Sequence, residues 1–268
     1  MTTQPVIAIE GVTHAYSTET GPLPVLEDIS FNIAPGGFTA VVGPSGCGKS
    51  TLTKLVSGLL KPDAGRVILD GKPVTSPRPT VGMAFQNPVL LEWRSILRNV
   101  LLPLEIVRGH GLSREAAEAR AHELLALVGL SGFEDKRPSE LSGGMRQRAS
   151  LCRALIHRPS VLILDEPFGA LDAFTREDLW QIMFKLRIEQ RVTCMLITHD
   201  LRESMFLADE VVVLSDRPAG IQHRLTVPLG HDRTIEDLYK PEIVECLAEL
   251  RRQIQIAQGR QPATEEAA

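Results

Sequence analysis

The order of apolar and polar positions divides the chain into a β-rich start, a helical middle and a final part in which strands and helices alternate. In the first third, short apolar runs separated by Pro and Gly predict strands at VIAIEGV, ISFNI, FTAVVG, RVILDG and TVGMAF. Between about residues 93 and 157 the apolar spacing takes the helical period, with Ser113 as the expected cap of one helix. The pattern therefore predicts a helical region inserted after a mainly β-structured start.

Beyond residue 157, nearly continuous apolar strands alternate with helices. The runs SVLILDEP, TCMLITHD and EVVVLSD are typical of buried strands, and DAFTREDLWQIMFKLRIEQ between the first two has a helical pattern. A parallel sheet covered on both faces has this order of elements, so we expect an α/β fold. The pattern further predicts a strand near HRLTVPL, a helix after Pro241 and a disordered polar ending, GRQPATEEAA.

Composition excludes some classes of protein. The chain has 268 residues, of which 43% are hydrophobic, and can therefore form a buried core. Its 29 Lys and Arg against 33 Asp and Glu give no bulk positive charge, so no nucleic-acid partner is expected. The apolar runs are shorter than the roughly 20 residues of a membrane span. The start, MTTQPVIAIEG, lacks a secretory pattern, and we expect a cytosolic chain.

Residues 43–51, GPSGCGKST, fit the G-x-x-x-x-G-K-[ST] pattern between the predicted strand FTAVV and the helical stretch STLTKLVSGLL. In this context the glycines let backbone N–H groups face a β-phosphate, and Lys49 reaches the β- and γ-phosphates. The Ser50 hydroxyl can ligate Mg²⁺. An ordinary glycine-rich turn is the alternative. The predicted ATP-binding residues are Gly43, Pro44, Ser45, Gly46, Cys47, Gly48, Lys49, Ser50 and Thr51.

The four cysteines, at positions 47, 152, 194 and 246, are too far apart for a metal site and are expected to be free thiols. Cys47 lies beside Lys49 and a predicted helix start, where a thiol pKa tends to fall. We therefore expect thiol reagents to inhibit through Cys47 and bound nucleotide to protect it.

Polar side chains follow three of the predicted strands. The run VLILDEP contains Asp165 and Glu166 where the predicted strand ends. Asp165 is expected to hold Mg²⁺ through a water molecule. Because neighbouring residues of a strand face opposite sides, Glu166 is expected to face the other way and can orient the water that attacks the γ-phosphate. Gln86 and His199 also follow strands, where ligands of open α/β sheets collect. Gln86 offers an oxygen to the metal or the water, and His199 a ring N–H to the γ-phosphate. Each alone would more often be a solvated loop residue. Together they give Glu166, His199 and Gln86 as catalytic, and Ser50, Gln86 and Asp165 as metal-binding.

Residues 141–148, LSGGMRQR, place Ser142 and two glycines at the start of a basic helix. Such a helix start can bind an anion, and it would be the second one in this chain. A capped surface helix is the alternative.

The motifs GPSGCGKST, FQ at 85 and 86, LSGGMRQR, VLILDEP, GALD at 169–172 and ITHD at 197–200 occur in that order, and over about residues 6–220 the chain resembles the ATP-binding-cassette ATPases. The resemblance implies a P-loop NTPase (RecA-like) core with an N-terminal antiparallel β subdomain and an α-helical signature subdomain. It implies one cassette over residues 1–230, with the helical subdomain at about 87–158, and a C-terminal helix and disordered tail over 231–268.

The resemblance also implies a homodimer that uses ATP and Mg²⁺. Two cassettes associate head to tail, so that Ser142, Gly143 and Gly144 of one chain cap the γ-phosphate bound by the other. Asp172 would lie at this interface, and Tyr16 looks like the aromatic on which adenine stacks. Met145 stands where the most familiar signature has Gln, but the serine and both glycines are intact.

The stretch ELSGGMRQRASLCRALIHRP looks like the importer type of cassette, and NPVLLEWRSILRNVLLPLEI with LADEVVVLSDRPAGI is similar to the nitrate, sulfonate and taurine importer group. This implies a peripheral ATPase subunit at the cytoplasmic face of the inner membrane, with transmembrane permease subunits and a solute-binding protein. An exporter ATPase and a soluble cassette ATPase outside transport are the alternatives. No long coiled-coil insertion or second cassette, which the soluble classes would need, is evident in the sequence.

The apolar stretch with Trp93, Leu97 and Leu101 is expected to form part of a groove that accepts a permease helix. Helical core is the alternative, and we favour it for Leu97 and Leu101. Trp93, between Glu92 and Arg94, is the better contact candidate because aromatic residues and Arg are enriched at interface centres.

Overall fold

The structure, a computed structural model, describes residues 4–107, 111–169 and 171–260. It divides into two compact units, one from residues 1–77 and 195–268 and the other from residues 78–194. The predicted disordered ending lies outside the described residues from position 261 on. The predicted domain limits, a cassette over 1–230 with its insertion at about 87–158, stay a prediction.

The described residues form both strands and helices. The strands are β1 (Ile7–Thr18), β2 (Gly21–Ile33), β3 (Phe38–Val42), β4 (Ala64–Leu69), β5 (Lys72–Pro73), β6 (Val81–Ala84), β7 (Val161–Asp165), β8 (Thr193–Ile197), β9 (Glu210–Leu214) and β10 (Ile221–Thr226). The helices are α1 (Lys49–Val56), α2 (Ile96–Ile106), α3 (Arg114–Leu127), α4 (Gly143–Leu155), α5 (Ala173–Gln190), α6 (Leu201–Leu207) and α7 (Pro241–Ala257). The β-rich start, the helical middle and the helix after Pro241 are confirmed.

The first unit contains an antiparallel sheet with the strand order β2-β1-β4-β5. Strand β1 is longer than the apolar pattern predicts, because its polar second half also pairs with β2, with Tyr16 opposite Leu23 and Thr18 opposite Gly21. This pairing brings Tyr16 into the sheet.

A second group of strands in the first unit has the order β10-β9-β3-β8. Strand β3 pairs with β9 in parallel, and β10 pairs with β9 in the antiparallel direction. Strand β3 is buried along its whole length, as expected for a central strand of an α/β fold. Helix α1 follows the loop after β3 and ends earlier than predicted, because the N–H groups of Leu59 and Leu60 both donate to the Lys54 carbonyl oxygen (2.8 and 3.0 Å).

The second unit pairs β6 with β7 in parallel and adds the helices of the predicted insertion, α2, α3 and α4, which pack against one another. The Ser113 cap is confirmed, since its Oγ accepts a hydrogen bond from the Ala116 N–H (3.2 Å). Ser142 caps α4 in the same way through the Met145 N–H (3.3 Å). Side-chain capping therefore explains where these helices begin.

Helix α7 packs against α6, β9 and β10 of the first unit. Among the described residues, no helix combines the length and the apolar character needed to cross a membrane.

Candidate nucleotide-binding site

The phosphate loop, residues 43–51, leaves the buried strand β3 and leads into α1. Ser45 and Gly46 are exposed at its tip. Gly48 has a φ of +122°, and a Cβ there would lie 2.7 Å from Val25 Cγ1 and 2.9 Å from Leu26 Cδ2. Only glycine therefore allows β2 and the loop to approach this closely.

Lys49 is 8% exposed, and its Nζ donates to the Gly43 and Pro44 carbonyl oxygens (2.9 and 2.8 Å). An ammonium group carries three N–H donors, so these bonds fix its position and a third donor can serve a phosphate oxygen. Ser50 lies exposed in the first turn of α1, and Thr51 is buried beside it. The structure thus holds the predicted phosphate-binding lysine inside the curve of its own loop.

Cys47 differs from its prediction. Its side chain is fully buried, and burial raises the pKa of its thiol, which outweighs the lowering effect of Lys49. The predicted fall in the Cys47 pKa is therefore wrong, and with it the basis for expecting a reactive thiol. Of the four cysteines, Cys246 is the most exposed.

Tyr16 lies next to the start of α1. Its hydroxyl is 3.2 Å from Thr51 Oγ1, and its ring packs edge-on against His14 with the centroids 5.0 Å apart. His14 is 8% exposed, and its Nδ1 lies 3.3 Å from Asp63 Oδ2. The structure therefore brings Tyr16 and the phosphate loop together, while adenine stacking on Tyr16 stays a prediction.

His199 is exposed in the turn after β8. The turn is fixed by its neighbours: Thr198 Oγ1 donates to Glu203 Oε2 (2.9 Å) and accepts from the Asp200 N–H (2.9 Å). Asp200 in turn caps α6 through the backbone N–H groups of Arg202 and Glu203 (2.9 and 3.2 Å). A buried Glu203 and a capped helix thus position the backbone that carries His199.

In the second unit, Gln86 and Glu166 are in contact. Gln86 Nε2 donates to Glu166 Oε2 (3.1 Å). Strand β7 ends at Asp165, and Glu166 has a φ of +48°, so alternation along a strand is not what separates the two carboxylates. A non-glycine residue with left-handed backbone costs free energy, and such residues concentrate at functional sites. The predicted pair of catalytic side chains is thus brought together.

The signature residues form an exposed helix start. Ser142 and Gly143 are exposed and Gly144 is half-buried. Arg146 Nη1 donates to the Leu141 carbonyl oxygen (2.7 Å), which fixes the turn before α4. The first residues of α4 are therefore accessible from solvent.

Asp172 has a local structural role. It caps α5, since its Oδ1 accepts from the Thr175 N–H (3.0 Å), and this bond holds the pKa of its carboxyl below the usual value. Asp172 is exposed. Ala170 of the GALD motif lies outside the described residues.

Gln147 is a further residue near the candidate site, and no motif assigned it a role. It is 2% exposed on α4, and its Nε2 donates to the Phe85 carbonyl oxygen (3.0 Å). The signature helix is thereby tied to the residue that precedes Gln86. Its position four residues before the buried Leu151, on the inner face of α4, was the available signal.

The grooves on the second unit are lined mainly by other residues than the predicted Trp93, Leu97 and Leu101. One groove, of about 280 Å³, is lined by Met83, Phe85, Leu102 and Ile106 among other residues. A second groove, of about 410 Å³, includes Leu101 in its lining, whereas Trp93 and Leu97 line neither. Leu101 is buried, as the core interpretation expects, Leu97 is half-buried, and Trp93 is 73% exposed.

A glycine-rich phosphate loop between a buried strand and a helix, together with an acidic strand end, defines the class of P-loop nucleotide-binding proteins. The family described as ABC transporter matches residues 26–169, more than half of the chain. The chain belongs to this family, whose ATP-binding subunits are ATPases coupled to transport. The predicted family, fold class and ATP binding are confirmed.

Relatives match over most of the chain. The bicarbonate transport ATP-binding protein CmpD of Synechocystis sp. is 44% identical over 237 residues, which cover 86% of this chain and 83% of that protein. The nitrate import ATP-binding protein NrtD of Synechococcus elongatus is 45% identical over 84% of this chain and 82% of its own. The taurine import ATP-binding protein TauB of Pseudomonas fluorescens is 45% identical over 77% of both.

Among solved structures, the dimeric structure of MJ0796, a bacterial ABC transporter cassette, has a TM-score of 0.76 at 31% identity and covers 84% of this chain and 100% of that one. A second structure of MJ0796, a dimeric post-hydrolysis state bound to ADP and Pi, also has a TM-score of 0.76, at 29% identity and with the same coverage.

Proposed function

We propose that the chain is the ATP-hydrolysing subunit of a membrane importer of the nitrate, sulfonate and taurine group. The observation that carries the proposal is identity of 44–45%, over at least 77% of the chain, to proteins named for nitrate import, taurine import and bicarbonate transport. These names favour an importer over an exporter ATPase or a soluble cassette. A small anion or zwitterion is the expected solute.

ATP would bind through the phosphate loop. The inward N–H groups and Lys49 hold the phosphate chain, and adenine stacks on Tyr16. Ser50, Gln86 and, through water, Asp165 are the proposed Mg²⁺ ligands. Their donors are oxygens, which this hard cation prefers, and Gln86 keeps its amide oxygen as an acceptor while its nitrogen contacts Glu166. When bound there, the metal would supply positive charge that offsets the negative charge of the phosphate chain.

Hydrolysis would depend on Glu166, Gln86 and His199. Glu166 accepts a hydrogen bond from the attacking water and orients it, while Gln86 fixes one of its two carboxylate oxygens. His199 donates a ring N–H to the γ-phosphate, where negative charge must be stabilised. The contact between Gln86 and Glu166 and the left-handed backbone of Glu166 support this proposal.

The active assembly would be a head-to-tail homodimer. In it Ser142 and the backbone N–H groups of Gly143 and Gly144 bind the γ-phosphate held by the partner, because a helix N-terminus attracts anions. Asp172 would lie at the same interface. ATP then closes the dimer and hydrolysis reopens it, a two-state change that can drive a permease. The exposure of Ser142, Gly143 and Asp172 supports the proposal.

The chain would act at the cytoplasmic face of the inner membrane, bound to transmembrane permease subunits that receive solute from a solute-binding protein. Trp93 is the proposed permease contact. The loop that carries it is held by the fully buried Asn99, which accepts from the Leu91 N–H (2.7 Å) and donates to the Leu91, Arg94 and Ser95 carbonyl oxygens (3.1, 3.2 and 3.0 Å). A fixed loop that exposes an indole suits an interface centre.

The test is to tag the Glu166→Gln chain, extract it gently from membranes in ATP and Mg²⁺, and identify the copurifying proteins by mass spectrometry. We expect a permease with several membrane spans, together with an exported solute-binding protein. The parent chain purified in ADP is the control for the nucleotide dependence of the assembly. Recovery as a homodimer without any membrane partner would contradict the importer proposal and favour a soluble cassette ATPase.

Replacing Trp93 by Ala should weaken assembly with the permease by about 2 kcal/mol, roughly thirtyfold in affinity, as truncation of an aromatic anchor at an interface does. Tyr239→Ala is the matched control, because Tyr239 is a similarly exposed aromatic residue (68%) in the other unit. The measurement is the amount of permease recovered with each tagged variant. Equal recovery with Trp93→Ala and with the parent would contradict the assignment.

A further inference from the structure

We propose that Arg217 is a positioning residue of the phosphate loop, which it holds in the binding conformation by bonding the Gly46 carbonyl from outside. The inference rests on the proposed binding of ATP by this loop. Arg217 lies after β9, 171 residues from Gly46 in sequence, and its Nη2 donates to the Gly46 carbonyl oxygen.

The bond is made at the exposed tip of the loop. Gly46 is exposed and has a φ of +78°, a conformation that glycine adopts easily. Because glycine is also the most flexible residue, holding it in one conformation costs conformational entropy. The nearest atom to a Cβ built at Gly46 is Arg217 Nη2, at 3.6 Å. The guanidinium therefore contacts a part of the loop that belongs to neither β3 nor α1.

The bond to the Gly46 carbonyl oxygen also sets the direction of the next backbone N–H, because the peptide group is planar. In a trans peptide the carbonyl oxygen and the following N–H point in opposite directions. Once Arg217 fixes the Gly46 oxygen outward, the Cys47 N–H must face inward, and it donates to the Pro44 carbonyl oxygen of the same loop (N···O 3.4 Å). Inward N–H groups are what a phosphate loop needs.

Arg217 is itself presented by a braced turn, residues 215–220. The Ser215 N–H donates to the Gly220 carbonyl oxygen, and the Gly220 N–H to Ser215 Oγ (both 2.9 Å). Ala219 joins the turn to β2, since its N–H donates to Val25 and its carbonyl accepts from Glu27 (both 2.9 Å). Strand β2 also packs against the phosphate loop, through Val25 at Gly48. The turn and β2 are therefore bonded to each other, and both contact the loop.

The experiment compares Arg217→Ala and Arg217→Lys with the parent chain. Arg224→Ala is the matched control, because Arg224 is, like Arg217, an exposed arginine, and it donates to Glu210 (2.9 and 3.1 Å) instead of to the loop. Losing a hydrogen bond of this kind is expected to raise the KM for ATP and the Kd for ATP about three- to tenfold. The kcat should stay within about twofold, since no interaction specific to the transition state is removed. Lysine, which keeps the positive charge and can still donate an N–H to the Gly46 carbonyl oxygen, should restore part of the affinity.

A second readout needs no nucleotide. The Cys47 thiol is fully buried next to Gly46, so release of the loop tip should expose it. In a Cys246→Ser background, which removes the most exposed thiol, a maleimide should modify Cys47 severalfold faster in Arg217→Ala than in the parent or in Arg224→Ala. An unchanged melting temperature in Arg217→Ala would show that the gain is local.

Unchanged KM and unchanged labelling in Arg217→Ala would overturn the proposal. A fall in kcat at constant KM would also overturn it, because Arg217 would then act in the reaction step itself. If the parent chain failed to bind ATP, the proposed function would fall, whereas the labelling rates would still decide whether Arg217 holds the loop.

Discussion

Replacing Glu166 by Gln should lower ATP turnover by about 10²–10⁴-fold, the range associated with the loss of a positioned general base. ATP binding should persist, because Glu166 belongs to the proposed hydrolytic set and not to the phosphate loop. Since bound ATP is then no longer consumed, the chain should accumulate as a closed dimer.

The substitution suits this site because it changes charge with little change of shape. Gln86 Nε2 donates to Glu166 Oε2 (3.1 Å), and an amide oxygen at the same place can still accept that bond. The amide is a much weaker base than the carboxylate, so the water loses its acceptor while the contact with Gln86 is kept. The expected loss is therefore chemical and should leave the melting temperature near that of the parent.

Turnover, ATP affinity and molar mass in ATP and Mg²⁺ are the three measurements. Glu118→Gln is the matched control, since Glu118 lies on α3 in the same unit and pairs only at the surface with Arg114 (3.2 Å). Near-normal turnover in Glu166→Gln would refute the proposed role of the carboxylate. Loss of ATP affinity would place Glu166 in binding instead of hydrolysis.

The elements of the fold follow from local pattern to a large extent. The helices α3 and α4 begin at serine caps that can be read directly from the chain. The second half of β1 could not be read in this way, because its pairing with β2 depends on register and not on alternation of apolar residues. Local pattern predicts an element well when its own residues decide it, and poorly when a neighbouring strand does.

The same division applies to the candidate site. The motifs indicate Lys49, Glu166 and Ser142 as candidates because their residue types and spacing suit the proposed chemistry. They do not reveal the left-handed backbone of Glu166 or the burial of Cys47, which depend on packing. The contacts of Gln147 with Phe85 and of Arg217 with Gly46 join residues 62 and 171 positions apart, and no local pattern encodes them. Sequence motifs therefore indicate the candidate reacting groups, while the structure shows the long-range contacts made by the backbone beside them.

Replacing Lys49 by Ala should abolish tight nucleotide binding, in contrast to Glu166→Gln. Lys49 is the buried ammonium inside the phosphate loop, and a charge-assisted hydrogen bond to a phosphate is worth roughly 1.5–3 kcal/mol, about 10- to 150-fold in Kd. The change also removes the hydrogen bonds from Lys49 to the Gly43 and Pro44 carbonyl oxygens, which stabilise the conformation of the loop. Both effects lower the affinity for ATP, so we expect a rise in Kd at the upper end of this range.

Equilibrium titration with ATP measures this loss, and Lys54→Ala is its matched control, since Lys54 is an exposed lysine of the same helix α1. Lys54→Ala should bind ATP as the parent does. A melting temperature close to that of the parent would assign the effect of Lys49→Ala to the ligand contact instead of to unfolding. Retained ATP affinity in Lys49→Ala would mean that the backbone N–H groups alone hold the phosphates, and the role given to the ammonium would have to be withdrawn.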